Sequence, residues 1–148
     1  MNLSDLLTRQ RIALNQTAAD WRAAVRAAGD LLVQTGGVEP RYVDAMPRAA
    51  EELGPYIVLA PGLALPHARP QDGALQACLA LVTLRPPVEF GAAENDPVQV
   101  VIALAAADAE EHVGALAQLM EALSTPGVMA GLAEAQSAEE ALRWLAEG

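Results

Sequence analysis

The sequence predicts a single α/β domain in which helices pack on a β-sheet, and three observations support this prediction. The chain has 148 residues, the size of one domain with one hydrophobic core. Apolar residues make up 53% of the chain but aromatic residues only 3%, so the core must consist of closely packed Ala, Leu and Val. Two runs, residues 75–84 and 98–105, are apolar at both alternating positions, as expected of central strands covered on both faces. We therefore place one domain over residues 1–148.

Two helices are predicted in the first third of the chain. Residues 17–20 have the form of a capping box, and Gly36-Gly37 ends the helical pattern that follows. The apolar residues at helical spacing are Trp21, Ala24, Val25, Ala28, Leu31 and Leu32. Pro40 then occupies a first-turn position of a second helix that extends to residues 53–54. Pro47 either kinks this helix or starts a new turn.

The middle of the chain has the short apolar runs and turn residues of a sheet. Residues 56–59 form one run, Pro61-Gly62 a turn, and residues 63–65 a second run that ends at Pro66-His67. Between the two central strands we expect a turn at Pro86-Pro87 and a polar loop at residues 94–96. His67 is thus predicted where a strand gives way to a loop.

Three helices are predicted after the second central strand. Asp108 and Glu111 form a box-like start that places His112 in the first turn. The predicted buried stripe of this helix consists of Val113, Leu116, Leu119, Met120 and Leu123. Thr125-Pro126 can start a short helix, and Ser137 caps a last one.

Charge and composition exclude several classes of protein. The formal net charge is -10, from 9 basic and 19 acidic residues, with no basic run that could neutralise successive phosphates of a nucleic acid or an anionic membrane. The first five residues lack the charged and apolar regions of a signal peptide, and Cys78, the one cysteine, cannot form an internal disulfide. No apolar stretch approaches the roughly 20 residues of a membrane helix. We expect a soluble, cytoplasmic protein.

The two histidines are the first candidates for chemistry, because neutral imidazole is a nucleophile near physiological pH. The alternatives are a loop-capping hydrogen bond for His67 and a surface or packing role for His112. A structural zinc site needs four N or S ligands and is not expected here, and Cys78 lies in an apolar strand where its thiolate is disfavoured. The glycine-rich phosphate loop and the Gly-x-Ser-x-Gly elbow do not occur.

The segment from Tyr56 to Pro70 resembles the phosphorylation-site segment of the mannitol/fructose-type enzyme IIA family of sugar phosphotransferase systems. Its Pro-His-Ala-Arg-Pro ending, residues 66–70, is most similar to the ascorbate-type members. The resemblance continues through Asn95-Asp96-Pro97-Val98, the apolar strand after it, and the segment around residues 108–120. It covers nearly the whole chain and implies a mixed β-sheet between helices, with both histidines on one rim.

The resemblance also implies roles for individual residues. By position, His67 accepts a phosphoryl group from the phosphohistidine of the carrier HPr and passes it to a cysteine of enzyme IIB, and His112 matches a second histidine beside the first. No cofactor is required, because phosphoryl transfer needs an in-line nucleophile and donors around the charged oxygens. Arg69 is a candidate for neutralising phosphate charge, with a solvated surface role as the alternative. Many family members carry an Arg-Glu pair upstream; Arg48 does not fit that spacing, and we assign it no role.

The leading prediction is therefore a cytoplasmic enzyme IIA that uses a covalent phosphohistidine, with HPr and enzyme IIB as protein partners. The alternative is a regulatory module of the same fold that is phosphorylated but signals by binding a target protein. The sugar is open, because the membrane component contacts it. The oligomeric state is also open, with a homodimer as one alternative.

Overall fold

The structure is a computed structural model that describes residues 3–147, so the predicted domain bounds at residues 1 and 148 lie outside the described residues. The helices in this range are α1 (Leu3–Leu6), α2 (Trp21–Gln34), α3 (Pro40–Leu53), α4 (Ala109–Leu123), α5 (Val128–Glu134) and α6 (Ala138–Glu147). The strands are β1 (Ile12–Gln16), β2 (Val58–Ala60), β3 (Leu63–Ala64), β4 (Cys78–Val88) and β5 (Val98–Ala105). Short 3-10 turns lie at Arg9–Arg11, Gly54–Ile57 and Pro70–Asp72.

The five strands form one mixed sheet in the order β1-β4-β5-β3-β2. β1 is parallel to β4 and β3 is parallel to β5, whereas the β4–β5 and β2–β3 pairs are antiparallel. The two long apolar runs supply the adjacent strands β4 and β5, with Cys78 opposite Ala105, although β4 begins at Cys78 and leaves Leu75 outside the strand and 55% exposed. This arrangement confirms both the predicted central strands and the mixed sheet.

Helices cover both faces of the sheet, as predicted. β4 and β5 direct mostly Ala and Val side chains toward α2 and α3, and mostly Leu side chains toward α1, α4, α5 and α6, because successive side chains of a strand point to opposite faces. The face against α2 and α3 includes Cys78, Ala80, Val82, Val101, Ala103 and Ala105. The other face includes Leu79, Leu81, Val100, Ile102 and Leu104.

Helix α2 begins where predicted, but with a different cap. The Asp20 carboxylate accepts from the Ala23 N–H at 2.9 Å, so Asp20 is the cap residue. The Thr17 hydroxyl instead donates to the Arg85 carbonyl at 3.2 Å, which makes the expected capping box at residues 17–20 wrong. The helix ends before Gly36, whose φ of 78° lies in the left-handed region that favours glycine.

Helix α3 starts at Pro40 as predicted and continues through Pro47 as one helix. A proline in a helix interior removes one backbone donor and displaces the preceding turn. The Nε of Arg48 donates to the Asp44 carbonyl in that turn, at 3.3 Å.

The expected turn at Pro86-Pro87 is wrong, because β4 continues to Val88. The register of the β4–β5 pair shifts between Thr83 and Val88, and prolines are tolerated where ladder pairing is interrupted. The chain reverses later, where the Asp96 carboxylate accepts from the N–H groups of Phe90, Gly91 and Ala92.

The remaining differences from the predicted elements concern their ends. The run at residues 56–59 is only partly a strand, since a 3-10 turn extends to Ile57 and β2 begins at Val58. α5 begins at Val128, after a left-handed Gly127, and not at Thr125-Pro126. The Ser137 cap of α6 is confirmed, because the Ser137 hydroxyl accepts from the Glu140 N–H at 3.1 Å. Across residues 3–147, no helix is long and apolar enough to cross a membrane.

Candidate functional site

The segment that carries His67 follows β3 along the edge of β5. His67 forms an isolated parallel bridge with Leu104, in the same register as the β3–β5 pairs, and the Leu104 N–H donates to the Pro66 carbonyl at 3.0 Å. The segment thus continues the direction of β3 after the strand itself has ended at Ala64. His67 lies half-buried where the chain leaves the sheet, as the sequence predicted.

A backbone contact fixes the tautomer of the His67 ring. Its Nδ1 lies 2.9 Å from the carbonyl oxygen of Leu65. A carbonyl oxygen only accepts hydrogen bonds, so Nδ1 carries the proton and Nε2 holds the lone pair of the neutral ring. His67 therefore has one ring nitrogen available as a nucleophile.

The first turn of α4 places His112 beside His67. The Asp108 carboxylate accepts from the Glu111 N–H at 2.8 Å, and the Glu111 carboxylate accepts from the Ala107 N–H at 3.0 Å, which fixes the helix start. The ring centroids of His67 and His112 are 5.4 Å apart and the ring planes are tilted by 58°. The two histidines of the chain therefore meet on one rim of the sheet.

The environment of His112 favours its neutral form. Burial of the half-buried ring, followed by the neighbouring His67, lowers the pKa of His112 below its usual value of 6.5. A neutral imidazole has one N–H donor and one acceptor nitrogen. His112 can accordingly donate a hydrogen bond beside His67 without adding a second positive charge.

Both histidines line one cavity of about 650 Å³ between α3, the segment after His67 and the start of α4. Its charged and polar lining consists of Arg48, Glu52, His67, Arg69, Asp72 and His112. A larger groove of about 860 Å³ lies between α1, α4 and α6, but its lining is mainly apolar and includes no histidine or cysteine. The smaller cavity is therefore the candidate site, because it holds the nucleophiles.

Arg69, the predicted phosphate-binding residue, lies at the edge of this cavity and pairs with Asp72. Its Nε is 3.4 Å from Oδ2 of Asp72, and its backbone N–H donates to the same oxygen at 3.0 Å. Partial burial opposes ionisation of Asp72, but the hydrogen bonds and charge of Arg69, with the charge of Arg41, hold the pKa of Asp72 below its usual value. The Arg69 side chain is 73% exposed and so keeps the freedom to turn toward an anion.

Arg48, to which the sequence assigned no role, lines the same cavity. Among the residues whose side chains the structure describes, no carboxylate lies within ion-pair distance of Arg48. Ala45, Arg48, Ala49 and Glu52 follow one another at helical spacing and form the face of α3 that borders the site. The helical spacing of these residues along one face of α3 could have predicted that Arg48 borders the site. The number of residues between Arg48 and His67 could not.

Cys78 takes no part in this site. It is fully buried in β4, where burial outweighs the opposing charge of Arg11 and raises the pKa of the thiol to about 11. The prediction of a disfavoured thiolate is therefore confirmed. Within residues 3–147, no group of three or more His, Cys, Asp or Glu side chains is placed to hold a metal ion.

Comparison with known proteins supports the resemblance found in the motif. The family described as "Phosphoenolpyruvate-dependent sugar phosphotransferase system, EIIA 2" matches residues 5–148. The ascorbate-specific PTS system EIIA component of Shigella boydii is 49% identical over 113 residues, which cover 76% of this chain and 73% of that protein.

Solved structures of this family share the fold over almost the whole chain. The mannitol-specific cryptic phosphotransferase enzyme IIA CmtB of Escherichia coli has a TM-score of 0.88 and 33% identity, covering 100% of both chains. The mannitol enzyme IIA of E. coli, solved in complex with phosphorylated mannitol enzyme IIB, has a TM-score of 0.84 and 33% identity, covering 97% of this chain and 100% of that one. The chain therefore belongs to the EIIA type 2 family of the phosphoenolpyruvate-dependent sugar phosphotransferase system.

Proposed function

We propose that this protein is a cytoplasmic phosphocarrier that accepts a phosphoryl group from phospho-HPr on Nε2 of His67 and passes it to a cysteine of an enzyme IIB. The observation that carries the proposal is the oriented His67 ring. Its Nδ1–H is held by the Leu65 carbonyl, and the ring lines a cavity beside His112. In this arrangement Nε2 carries no proton and can act as the nucleophile, so the proposed transfer needs neither a metal nor a nucleotide.

The proposed transfer conserves bonds and electron pairs without a cofactor. The Nε2 lone pair attacks the phosphorus of phospho-HPr, and the electron pair of the broken P–N bond stays on the donor histidine. Positive charge develops on the His67 ring as the new N–P bond forms, and the hydrogen bond from Nδ1–H to Leu65 stabilises it. In the second step a thiolate of enzyme IIB attacks phosphorus, and the electron pair returns to Nε2.

His112 and the two arginines supply the groups that a phosphoryl oxygen needs. His112 donates a hydrogen bond from a neutral ring and does not carry the group covalently. Arg48 has no carboxylate partner among the described side chains, and we assign it the neutralisation of phosphoryl charge at the α3 side of the cavity. Arg69, which lines the same cavity, acts by exchanging Asp72 for the phosphoryl oxygens.

The relatives support an enzyme IIB as the acceptor. The Shigella boydii relative is ascorbate-specific and the mannitol enzyme IIA was solved with phosphorylated enzyme IIB, so an ascorbate-type enzyme IIB is the acceptor to test first. Val113, next to His112, is 65% exposed and offers an apolar contact to such a partner beside the phosphorylated ring.

The test is to incubate the protein with phosphoenolpyruvate, enzyme I and HPr and to follow the label by mass and by acid stability. We expect one phosphate, labile in acid and stable in base, that is absent from His67→Ala. His112→Ala should still be labelled at His67, roughly tenfold to a thousandfold more slowly, because it loses a positioned donor and keeps the nucleophile.

Arg143→Ala is the control, because this arginine lies on α6 and borders the other groove. It should be labelled at the wild-type rate. Normal labelling of His67→Ala, or label on His112 of the wild type, contradicts the assignment. Label that forms on His67 but passes to no enzyme IIB supports the regulatory alternative instead.

A further inference from the structure

Tyr42 joins three parts of the protein at the point where the His67 segment leaves the sheet. The side chain is fully buried, and its hydroxyl donates to the Leu104 carbonyl of β5 at 2.8 Å. The same hydroxyl accepts from the Ala68 N–H at 3.0 Å and lies 3.2 Å from the Ala68 carbonyl. One hydroxyl on α3 therefore contacts both Ala68, which follows His67, and Leu104, which pairs with His67.

The Tyr42 hydroxyl lies at a defined position in the backbone ladder between the His67 segment and β5. In a parallel bridge between His67 and Leu104, the Leu104 N–H donates to residue 66, and the next slanted bond runs from the Ala68 N–H to the Leu104 carbonyl. Here the Ala68 N–H donates to Tyr42 and Tyr42 donates to Leu104. The phenol thus hydrogen-bonds to both of the backbone groups that this ladder brings together.

Packing alone does not require such an arrangement. A Phe side chain would fill the same core position between α3 and the sheet, and a buried tyrosine needs only one partner for its hydroxyl. Burial raises the pKa of Tyr42 to about 12, against the opposing hydrogen bond with Ala68, so the hydroxyl keeps its proton and remains a donor. The two backbone groups that Tyr42 contacts belong to the residue after His67 and to the β5 residue that pairs with His67.

We propose that Tyr42 is a positioning residue for phosphoryl transfer, because its hydroxyl links the residue after His67 to both α3 and β5 and thereby fixes the ring of His67. The inference rests on the proposed function of His67. Without the hydroxyl, Ala68 loses its link to α3 and the segment 66–68 shifts, which disturbs the contact of Nδ1 with Leu65 and the direction of Nε2.

The test is Tyr42→Phe, measured by single-turnover transfer from phospho-HPr per folded molecule. We expect the rate constant at saturating donor to fall about tenfold or more, with the apparent affinity for phospho-HPr within about twofold of wild type, because misorientation affects the transfer step. The control is Thr83→Val, which removes another buried hydroxyl that accepts from the Asn15 N–H at 2.8 Å, farther along the sheet. Thr83→Val should transfer at the wild-type rate.

A second measurement needs no phosphoryl donor and so separates this proposal from the proposed function. The ¹⁵N shifts of the His67 ring should show a proton on Nδ1 in the wild type and in Thr83→Val, and a mixture of tautomers in Tyr42→Phe. A changed tautomer in a protein that HPr does not label supports Tyr42 while refuting the phosphocarrier function. Wild-type tautomer and wild-type rate in folded Tyr42→Phe overturn the positioning role.

If Tyr42→Phe does not fold, 3-fluorotyrosine is incorporated in a Tyr56→Phe background, where Tyr42 is the one remaining tyrosine. Fluorination strengthens the phenol as a donor and keeps its packing. We expect the ¹⁵N shifts of the Ala68 amide and of the His67 ring to move relative to the unfluorinated protein, and unmoved shifts overturn the proposal.

Discussion

At the scale of single residues, the site gives its two imidazoles different surroundings. His67 has a backbone acceptor at 2.9 Å that sets which nitrogen is protonated, whereas His112 is half-buried beside the ring of His67. A fixed tautomer suits a nucleophile, and a neutral donor suits a group that steadies charge forming next to it. Chemically identical side chains can thus take the two different roles that we propose.

The lowered pKa of His112 makes folding stability depend on pH. The unfolded chain binds a proton at His112 near pH 6.5, but the folded chain does so only at lower pH, because burial and His67 oppose the charge. Stability should therefore fall as the pH drops through about 6.5, and this contribution is constant at higher pH. His112→Gln should lose less stability than the wild type between pH 7.5 and 5.5, measured by urea unfolding. If both proteins lose the same folding stability on acidification, the lowered pKa of His112 is contradicted.

The sequence predicted the histidines of the site better than its arginines. The Pro-His motif and the two histidine positions led to His67 and His112, and the structure brings the two rings within 5.4 Å. Arg48 was missed because its place depends on which face of α3 turns toward the segment after β3. The pairing of Arg69 with Asp72 was also not visible in the sequence, since it depends on the backbone of a 3-10 turn.

At the scale of elements, the start of α4 links helix capping to the chemistry. Asp108→Ala removes the acceptor of the Glu111 N–H, and loss of such a cap costs about 0.5–2 kcal/mol. Because His112 lies in the same turn, we also expect slower transfer from phospho-HPr. Urea unfolding and the transfer rate are measured together.

Ser137→Ala is the matched control for Asp108→Ala. Its hydroxyl caps α6 through the Glu140 N–H, and α6 does not border the histidine cavity. We expect a comparable loss of stability with the wild-type transfer rate. If both variants slow transfer equally, or if neither does, capping of α4 has no specific part in placing His112.

The two central strands were predicted from their local pattern, whereas β1, which depends on tertiary pairing, was not. β4 and β5 are apolar on both faces, so burial was apparent from the sequence. β1 (Ile12–Gln16) was missed, because this short segment ends in polar residues and is a strand through its pairing with β4. Val113 was predicted in the buried stripe of α4 but is 65% exposed, because Ala115 and Ala122 face the core in its place.

At the scale of the whole molecule, the site and helix α5 lie near opposite ends of β5. His67 lies level with Leu104, near the end of β5, whereas Gln99 at the start of β5 approaches the Ala133 carbonyl of α5 at 3.5 Å. The helices α5 and α6 pack on the large side chains of one sheet face. A substitution far from His67 should therefore lower folding stability without changing the rate of phosphoryl transfer.

Leu132→Ala tests this separation, because Leu132 on α5 is fully buried and lies near the end of the sheet remote from His67. Deleting a buried leucine side chain to alanine costs about 2–5 kcal/mol, through lost burial and the cavity left behind. Leu59→Ala deletes the same atoms from a side chain that is 47% exposed on the edge strand β2, and should cost less than about 1 kcal/mol. Urea unfolding gives the stabilities, and transfer from phospho-HPr per folded molecule should equal the wild type in both variants. A transfer rate that falls with the stability of Leu132→Ala would mean that the site depends on the packing of α5, and that the two halves of the sheet do not act independently.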